Sequence, residues 1–253
     1  MPTSELYCRQ LRKSENDGLL TDLALTLLSF STQYDYGDAN YDDDALIEIL
    51  CTMSNSNIRK ICATYQQIFS KRLDQEIREG KTGNYKKLLL ILSEGNRDES
   101  ISCDPQSAKN QAIVLEKKLS QSFTDEKTII EMLAKKSFRQ INLISEEYRK
   151  RTGNLLEKDI KKRMSAKLKD ALVAIVRASK NIAEFYARRI NKSINYFNLD
   201  HHNLGRLIVA RCEIDLMNIQ DEFKFIFRES LQSRMETITS GNYKHALLTL
   251  LNA

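Results

Sequence analysis

The sequence predicts an all-α fold assembled from repeated helical units, and three observations carry that prediction. Only 8 Gly and 2 Pro occur in 253 residues, where average usage gives about 18 and about 13. No segment alternates apolar and polar residues with period two, so neither a β-sandwich nor a barrel has its pattern here. A set of apolar positions recurs at constant offsets, which is the mark of a repeat architecture. Collagen and Pro/Gly-rich disorder are excluded by the same composition. Hydrophobic residues at 42% and charged residues at 29% allow a sizeable core under a solvated surface.

The repeat reads without gaps. Leu46, Ile47, Glu48, Ile49 and Leu50 match Ile129, Ile130, Glu131, Met132 and Leu133 at an offset of 83. Ser54, Ile58, Ile61 and Tyr65 match Ser137, Ile141, Ile144 and Tyr148. Leu73, Ile77, Thr82 and Leu89 match Leu156, Ile160, Ser165 and Leu172 at the same offset. A further offset of 75 leads to Cys212, Leu216, Ile219, Phe223, Leu231, Met235, Ser240 and Leu247. At the start, Gly18, Leu20, Leu23 and Leu27 match Gly83, Tyr85, Leu88 and Leu92. Four copies follow: residues 1–33 with only the last two helices, 34–98 without room for a first helix, 99–179 complete, and 180–253.

The complete copy shows each helix. Asp104-Pro105 supplies an N-cap and a first-turn proline for a helix over 105–119. A second helix spans 125–135. Ser137 and Gln140 form a capping box for the third, 138–151, whose stripe is Phe138, Ile141, Ile144 and Tyr148. Gly153 closes that helix. The last two helices cover 155–162 and 166–177.

Charge and cysteine usage narrow the class. The net charge is +5, mildly basic and too weak to imply nucleic acid. Five cysteines without a CxxC pattern argue against a disulfide framework or a zinc site, and for a reducing, cytoplasmic setting. The start has no basic-then-apolar leader. No apolar stretch approaches the ~20 residues of a membrane span, so membrane contact is expected to be peripheral. No Gly-rich phosphate loop, HExxH or GxSxG is present, and the chain is not expected to be an enzyme. Asp42-Asp43-Asp44 is read as a helix start favoured by the dipole.

With these residues in hand, the chain resembles the annexins. The carrying stretches are Asp42 through Leu50, Thr124 through Ile130, Gly95-Asn96-Arg97-Asp98-Glu99, Ala183-Glu184-Phe185, and Arg211-Cys212-Glu213-Ile214-Asp215-Leu216. The resemblance implies an annexin-like array of five-helix repeats forming a curved disc, here N-terminally truncated. It also implies phospholipid binding through convex-face loops, usually bridged by calcium.

The resemblance further implies a two-part calcium site: a Gly-x-Gly-Thr loop, and a carboxylate ahead of the Thr/Ser-Gly pair. The loops align with Asp38-Ala39-Asn40-Tyr41, Gln121-Ser122-Phe123-Thr124 and Tyr196-Phe197-Asn198-Leu199. The carboxylate positions hold Gly80, Arg163 and Ile238. The partial first copy offers Glu15 without its loop. Calcium takes about six to eight oxygens. No copy keeps both halves, so calcium is expected at low affinity if at all, and no cofactor is expected.

Electrostatics is the expected substitute. Residues 158–169 carry six basic residues and one acidic, a local charge of +5. Lys161, Lys162, Arg163 and Lys167 in this stretch are candidate lipid contacts. Lys117 and Lys118 in the companion loop, and Phe123, Tyr196 and Phe197 in the former calcium loops, complete the set. The other reading of these residues is a solvated helix face and folded-in aromatics. His201 and His202 either add charge at mildly acidic pH or are ordinary exposed histidines. Cys8 and Cys212 read as small apolar fillers or redox-sensitive thiols.

Two functional classes follow. One is a scaffold peripheral on the cytosolic face of anionic phospholipid membranes. The other is a protein-interaction scaffold that has lost membrane binding. A missing half-repeat would expose an apolar face and admit a homodimer.

Overall fold

The computed structural model describes residues 41–121, 125–195 and 198–252, as fourteen helices and one minimal strand pair. The first copy, and the place where the second copy's first helix would stand, lie outside the described residues. The described residues divide into two compact units, one ending at Lys180 and one beginning at Asn181.

In the first unit, α1 (Tyr41–Thr52), α2 (Asn55–Phe69), α3 (Leu73–Gly80) and α4 (Gly83–Ser93) precede a connector. Then come α5 (Pro105–Ser120), α6 (Glu126–Lys135), α7 (Phe138–Thr152), α8 (Leu156–Arg163) and α9 (Ala166–Lys180). Local chemistry sets these boundaries. Asp104 accepts from the N–H groups of Gln106 and Ser107 at 2.9 and 3.0 Å, just ahead of Pro105. Ser54 and Ser137 cap α2 and α7 in the same manner. α9 runs three residues past its expected end because Arg177 to Lys180 continue to pack and pair: Ala178 is buried, and Lys180 reaches Glu157 at 2.8 Å.

The expected capping box is only half formed. Ser137 accepts from the Gln140 N–H, but the Gln140 side chain does not turn back. Its amide instead exchanges hydrogen bonds with the Asp104 backbone and donates to Gln111. Packing of α7 on α5 offers the buried amide partners that a lone helix lacks.

α9 is the hub of this unit. Leu168, Ala171, Leu172, Ile175 and Val176 are fully buried, and the helix packs on α1, α4, α6, α7 and α8. α1 lies between α4 and α9, which explains why Ala45 through Cys51 are buried on nearly every side. The connector is pinned by polar contacts. Arg97 donates to the carbonyls of Leu133 and Lys136 and stands over the Phe138 ring at 4.7 Å. Asn55 donates to the Arg97 carbonyl at 2.7 Å and accepts from its N–H at 2.9 Å. Burial pulls the Arg97 guanidinium down to about 10.

The second unit holds α10 (Ile182–Ser193), β1 (Ile194–Asn195), β2 (Asn198–Leu199), α11 (His201–Arg211), α12 (Leu216–Phe227), α13 (Leu231–Ile238) and α14 (Gly241–Leu251). The strands pair antiparallel, Ile194 with Leu199, and are the one stretch of β-structure among the described residues. α10 packs on α11 and α12, and α14 on α11 and α13. Arg211 is buried; it pairs with Asp215 through two contacts of 2.6 and 2.7 Å and lies over the Tyr186 ring at 4.3 Å. The Arg211–Asp215 pair is therefore an internal contact of this unit.

Candidate functional site

Three short helices of eight residues occupy equivalent places: α3, α8 and α13. Each starts on a buried leucine and ends on the residue that the sequence placed at a calcium carboxylate position. Those residues are Gly80, Arg163 and Ile238. Gly80 has no side chain to offer, Ile238 is apolar and half-buried, and Arg163 is exposed and cationic. None of the three supplies an oxygen ligand from its side chain.

Nearby carboxylates are already engaged. Asp43, in the first turn of α1, is buried. Lys81, directly after Gly80, puts Nζ 2.8 Å from Asp43 Oδ1, and the Tyr85 hydroxyl donates to the same oxygen at 2.9 Å. Lys167 Nζ stands 3.2 Å from Oδ2. Burial would raise the Asp43 carboxyl, but the two ammonium groups and the hydroxyl outweigh it and hold the group below its ordinary range. Burial, with the same carboxylate adding to it, pushes the Tyr85 hydroxyl far up. Asp125 caps α6 through the Thr128 N–H and pairs with Lys118 at 2.8 Å, which draws it down to about 2. Asp200 caps α11 through Asn203. Among the described residues no group of three His, Cys, Asp or Glu is arranged to hold a metal ion.

The basic candidates separate into two kinds. Lys161, Lys162 and Arg163 form the exposed last turn of α8, where cations also complement the carbonyl end of the helix. Lys158 is exposed one turn earlier. The single acidic residue of this stretch, Asp159, is turned toward α7 and accepts from the Tyr148 hydroxyl at 2.8 Å. Lys162 reaches it only at 3.8 Å. The outward face of α8 is consequently basic. Lys117 is exposed at the end of α5. Lys118 and Lys167 are instead tied into ion pairs. Phe123, Tyr196, Phe197 and the three former calcium loops, except for Tyr41, Gln121, Asn198 and Leu199, lie outside the described residues, as do Glu15 and Cys8. His201 is exposed, its ring set edge-on to Tyr243 at 5.0 Å.

The Asp43 cluster escaped the sequence reading, which saw only a helix start in Asp42-Asp43-Asp44. The one signal was a lysine at position 81, adjacent to a lost carboxylate. Its meaning depends on α9 bringing Lys167 to the same place.

The annexin family model matches residues 35–92, 110–175 and 185–250. Mouse annexin A3 is 37% identical over 210 residues, covering 83% of this chain and 65% of its own length. Human annexin A11 is 33% identical over 249 residues, covering 94% of this chain and 49% of its own length. The chain thus spans between half and two thirds of these relatives. The solved structure of annexin III superposes with a TM-score of 0.90 at 31% identity, covering 100% of this chain and 76% of that one. Three matched repeats, together with this structural likeness, establish that this protein belongs to the annexin family.

Proposed function

We propose that this chain is a peripheral phospholipid-binding scaffold whose docking on anionic membranes depends weakly or not at all on calcium. The observation that carries the reading is the last turn of α8. Arg163, Lys161 and Lys162 stand exposed there, the neighbouring acid is turned inward to Tyr148, and a cation takes the place of a calcium ligand. Each basic residue near an anionic leaflet contributes about 1 kcal/mol. Lys117 and the aromatics Phe123, Tyr196 and Phe197 are proposed as further lipid contacts. The scaffold would act from the cytosolic side, without catalysis and without nucleic acid. No described helix is long and apolar enough to cross a membrane.

Co-sedimentation with phosphatidylserine/phosphatidylcholine vesicles in chelator tests the reading. Binding is expected to survive chelation and to weaken on Arg163→Glu. Pelleting only with calcium would overturn it.

A specific surface favours a second reading, the protein-interaction scaffold. Ile214, just before α12, and Met217 and Phe225 on it are 46%, 77% and 69% exposed, with the exposed Asp221 between the last two. Large apolar side chains left exposed in this way are suited to a protein partner. Failure to bind vesicles, with recovery of a partner lost on Phe225→Ser, would support it.

A further inference from the structure

We infer that Ser165 is a phosphorylation site, and that its modification releases the chain from anionic membranes. The inference rests on the membrane reading above. Ser165 is exposed and lies in the joint between α8 and α9, directly after the basic turn. Lys161, Lys162 and Arg163 precede it by four, three and two residues. That is the spacing of cations which a basophilic serine kinase reads with carboxylates in its peptide groove. The equivalent positions in the other copies lack such a run. Thr82 follows Glu79-Gly80-Lys81, and Ser240 follows Thr237-Ile238-Thr239.

Other hydroxyls also have basic residues ahead of them, and the structure separates the nearest matches from Ser165. Ser137 follows Lys135-Lys136 but is buried as the cap of α7. Thr152 follows Arg149-Lys150-Arg151 but ends α7, and its hydroxyl donates to the Tyr148 carbonyl at 2.8 Å. Ser120 follows Lys117-Lys118-Leu119 but ends α5, and its hydroxyl donates to the Lys117 carbonyl at 3.0 Å. A phosphate at either place would break that bond and stand against the negative end of a helix dipole. Ser165 is at the opposite kind of end. Its carbonyl accepts the first bond of α9, from Lys169 N at 2.8 Å, so a phosphate there faces the positive end of the dipole. α8 is only eight residues long, and its last turn can open toward a kinase at little cost.

In the transfer, Ser165 Oγ attacks the terminal phosphorus of a nucleoside triphosphate held by the kinase. A P–Oγ bond forms, the bond to the nucleoside diphosphate breaks, and the hydroxyl proton passes to the kinase's base. The product adds a charge of about −1.5 to −2 within three residues of Lys162, Arg163 and Lys167. The basic stretch, at +5, loses roughly a third of its local charge, and the chain leaves the anionic surface as an electrostatic switch.

The experiment treats the full chain with the catalytic subunit of cyclic-AMP-dependent protein kinase and MgATP, and maps phosphate by mass spectrometry. Vesicle binding of both forms is then measured in chelator on 30% phosphatidylserine (a composition chosen for the assay, about 30% anionic lipid). Phosphate is expected at Ser165, to be absent in Ser165→Ala, and to persist in Ser120→Ala and Thr152→Ala. Modified protein is expected to bind on the order of ten- to a hundredfold more weakly, with an unchanged melting temperature. No phosphate at Ser165, or equal binding of both forms, overturns the inference. If the unmodified chain fails to bind, the membrane reading itself falls and the switch falls with it.

Discussion

Lys167 Nζ lies 3.2 Å from Asp43 Oδ2, joining the start of α9 to the start of α1, while Lys81 takes the other carboxylate oxygen at 2.8 Å. One buried acid thereby anchors two cations from different copies of the repeat. Asp43→Asn removes a carboxylate that pairs with both Lys81, whose side chain is only 15% exposed, and Lys167. Loss of about 2–3 kcal/mol is expected in urea unfolding. The pH dependence follows from the sign of the shift. The carboxyl is held below its ordinary value in the fold, so its contribution is full above the unfolded value of about 3.9. It is lost as pH falls through the folded value. The acid limb of stability below about pH 4 should flatten in Asp43→Asn. An unchanged limb would count against the pairing.

Calcium should leave little mark on the wild-type chain. Calorimetric titration is expected to show no micromolar binding, because the described helix ends carry no side-chain oxygen at Gly80, Arg163 or Ile238. Gly80→Asp alone should not restore it, since Lys81 and Lys167 remain beside Asp43. A micromolar site in either protein would refute this expectation.

Membrane docking should be steeply salt-dependent. Arg163→Glu changes the exposed turn of α8 by two charges, and a weakening of roughly thirtyfold is expected on anionic vesicles at low salt. Raising salt from about 0.05 to 0.2 M should weaken the wild type and shrink the difference between the two proteins. Lys118→Glu should instead disturb the Asp125 pair at the start of α6.

Backbone conformation gives a stabilising substitution. Gly153 ends α7 with φ of +72°, and the equivalent positions after α2 and α12 are Ser70 at +54° and Arg228 at +59°. A side chain in this region costs about 1–2 kcal/mol. Part of that gain is offset by the greater freedom of glycine in the unfolded chain. Ser70→Gly should raise stability by about 0.5–1 kcal/mol. Gly95→Ala is the converse case. Gly95 has φ of +60°, and a Cβ there would meet the Asn55 carbonyl at 3.0 Å, so a loss is expected in the same denaturant assay.

Thiol chemistry should sort by environment. Cys103 is exposed, whereas burial, with Asp74 adding to it, pushes Cys62 up to about 11. Cys62 borders a cleft of about 420 Å³, so access alone does not protect it. At pH 8 a disulfide reagent should label Cys103 fast and Cys62 slowly in a Cys8→Ser background. Labelling of Cys62 should then rise about tenfold per pH unit. Equal rates at pH 8 would contradict the assigned environment.

The helices, their caps and the repeat were legible in the sequence because they depend on residues a few positions apart. Asp104-Pro105, Ser137 and Gly153 act within one turn, and an apolar stripe such as Ile141, Ile144 and Tyr148 declares its own buried face. The constant offsets also placed Gly80, Arg163 and Ile238 at matching helix ends. Tertiary structure decided which charges meet. It turned Asp159 inward to Tyr148 and left Lys161 to Arg163 outside. It drew Gln140 away from its own cap toward Asp104, and brought Lys81 and Lys167 to one buried acid. A side chain with a charge or an amide takes the partner that packing desolvates beside it, and that partner is set by how helices distant in the chain come together.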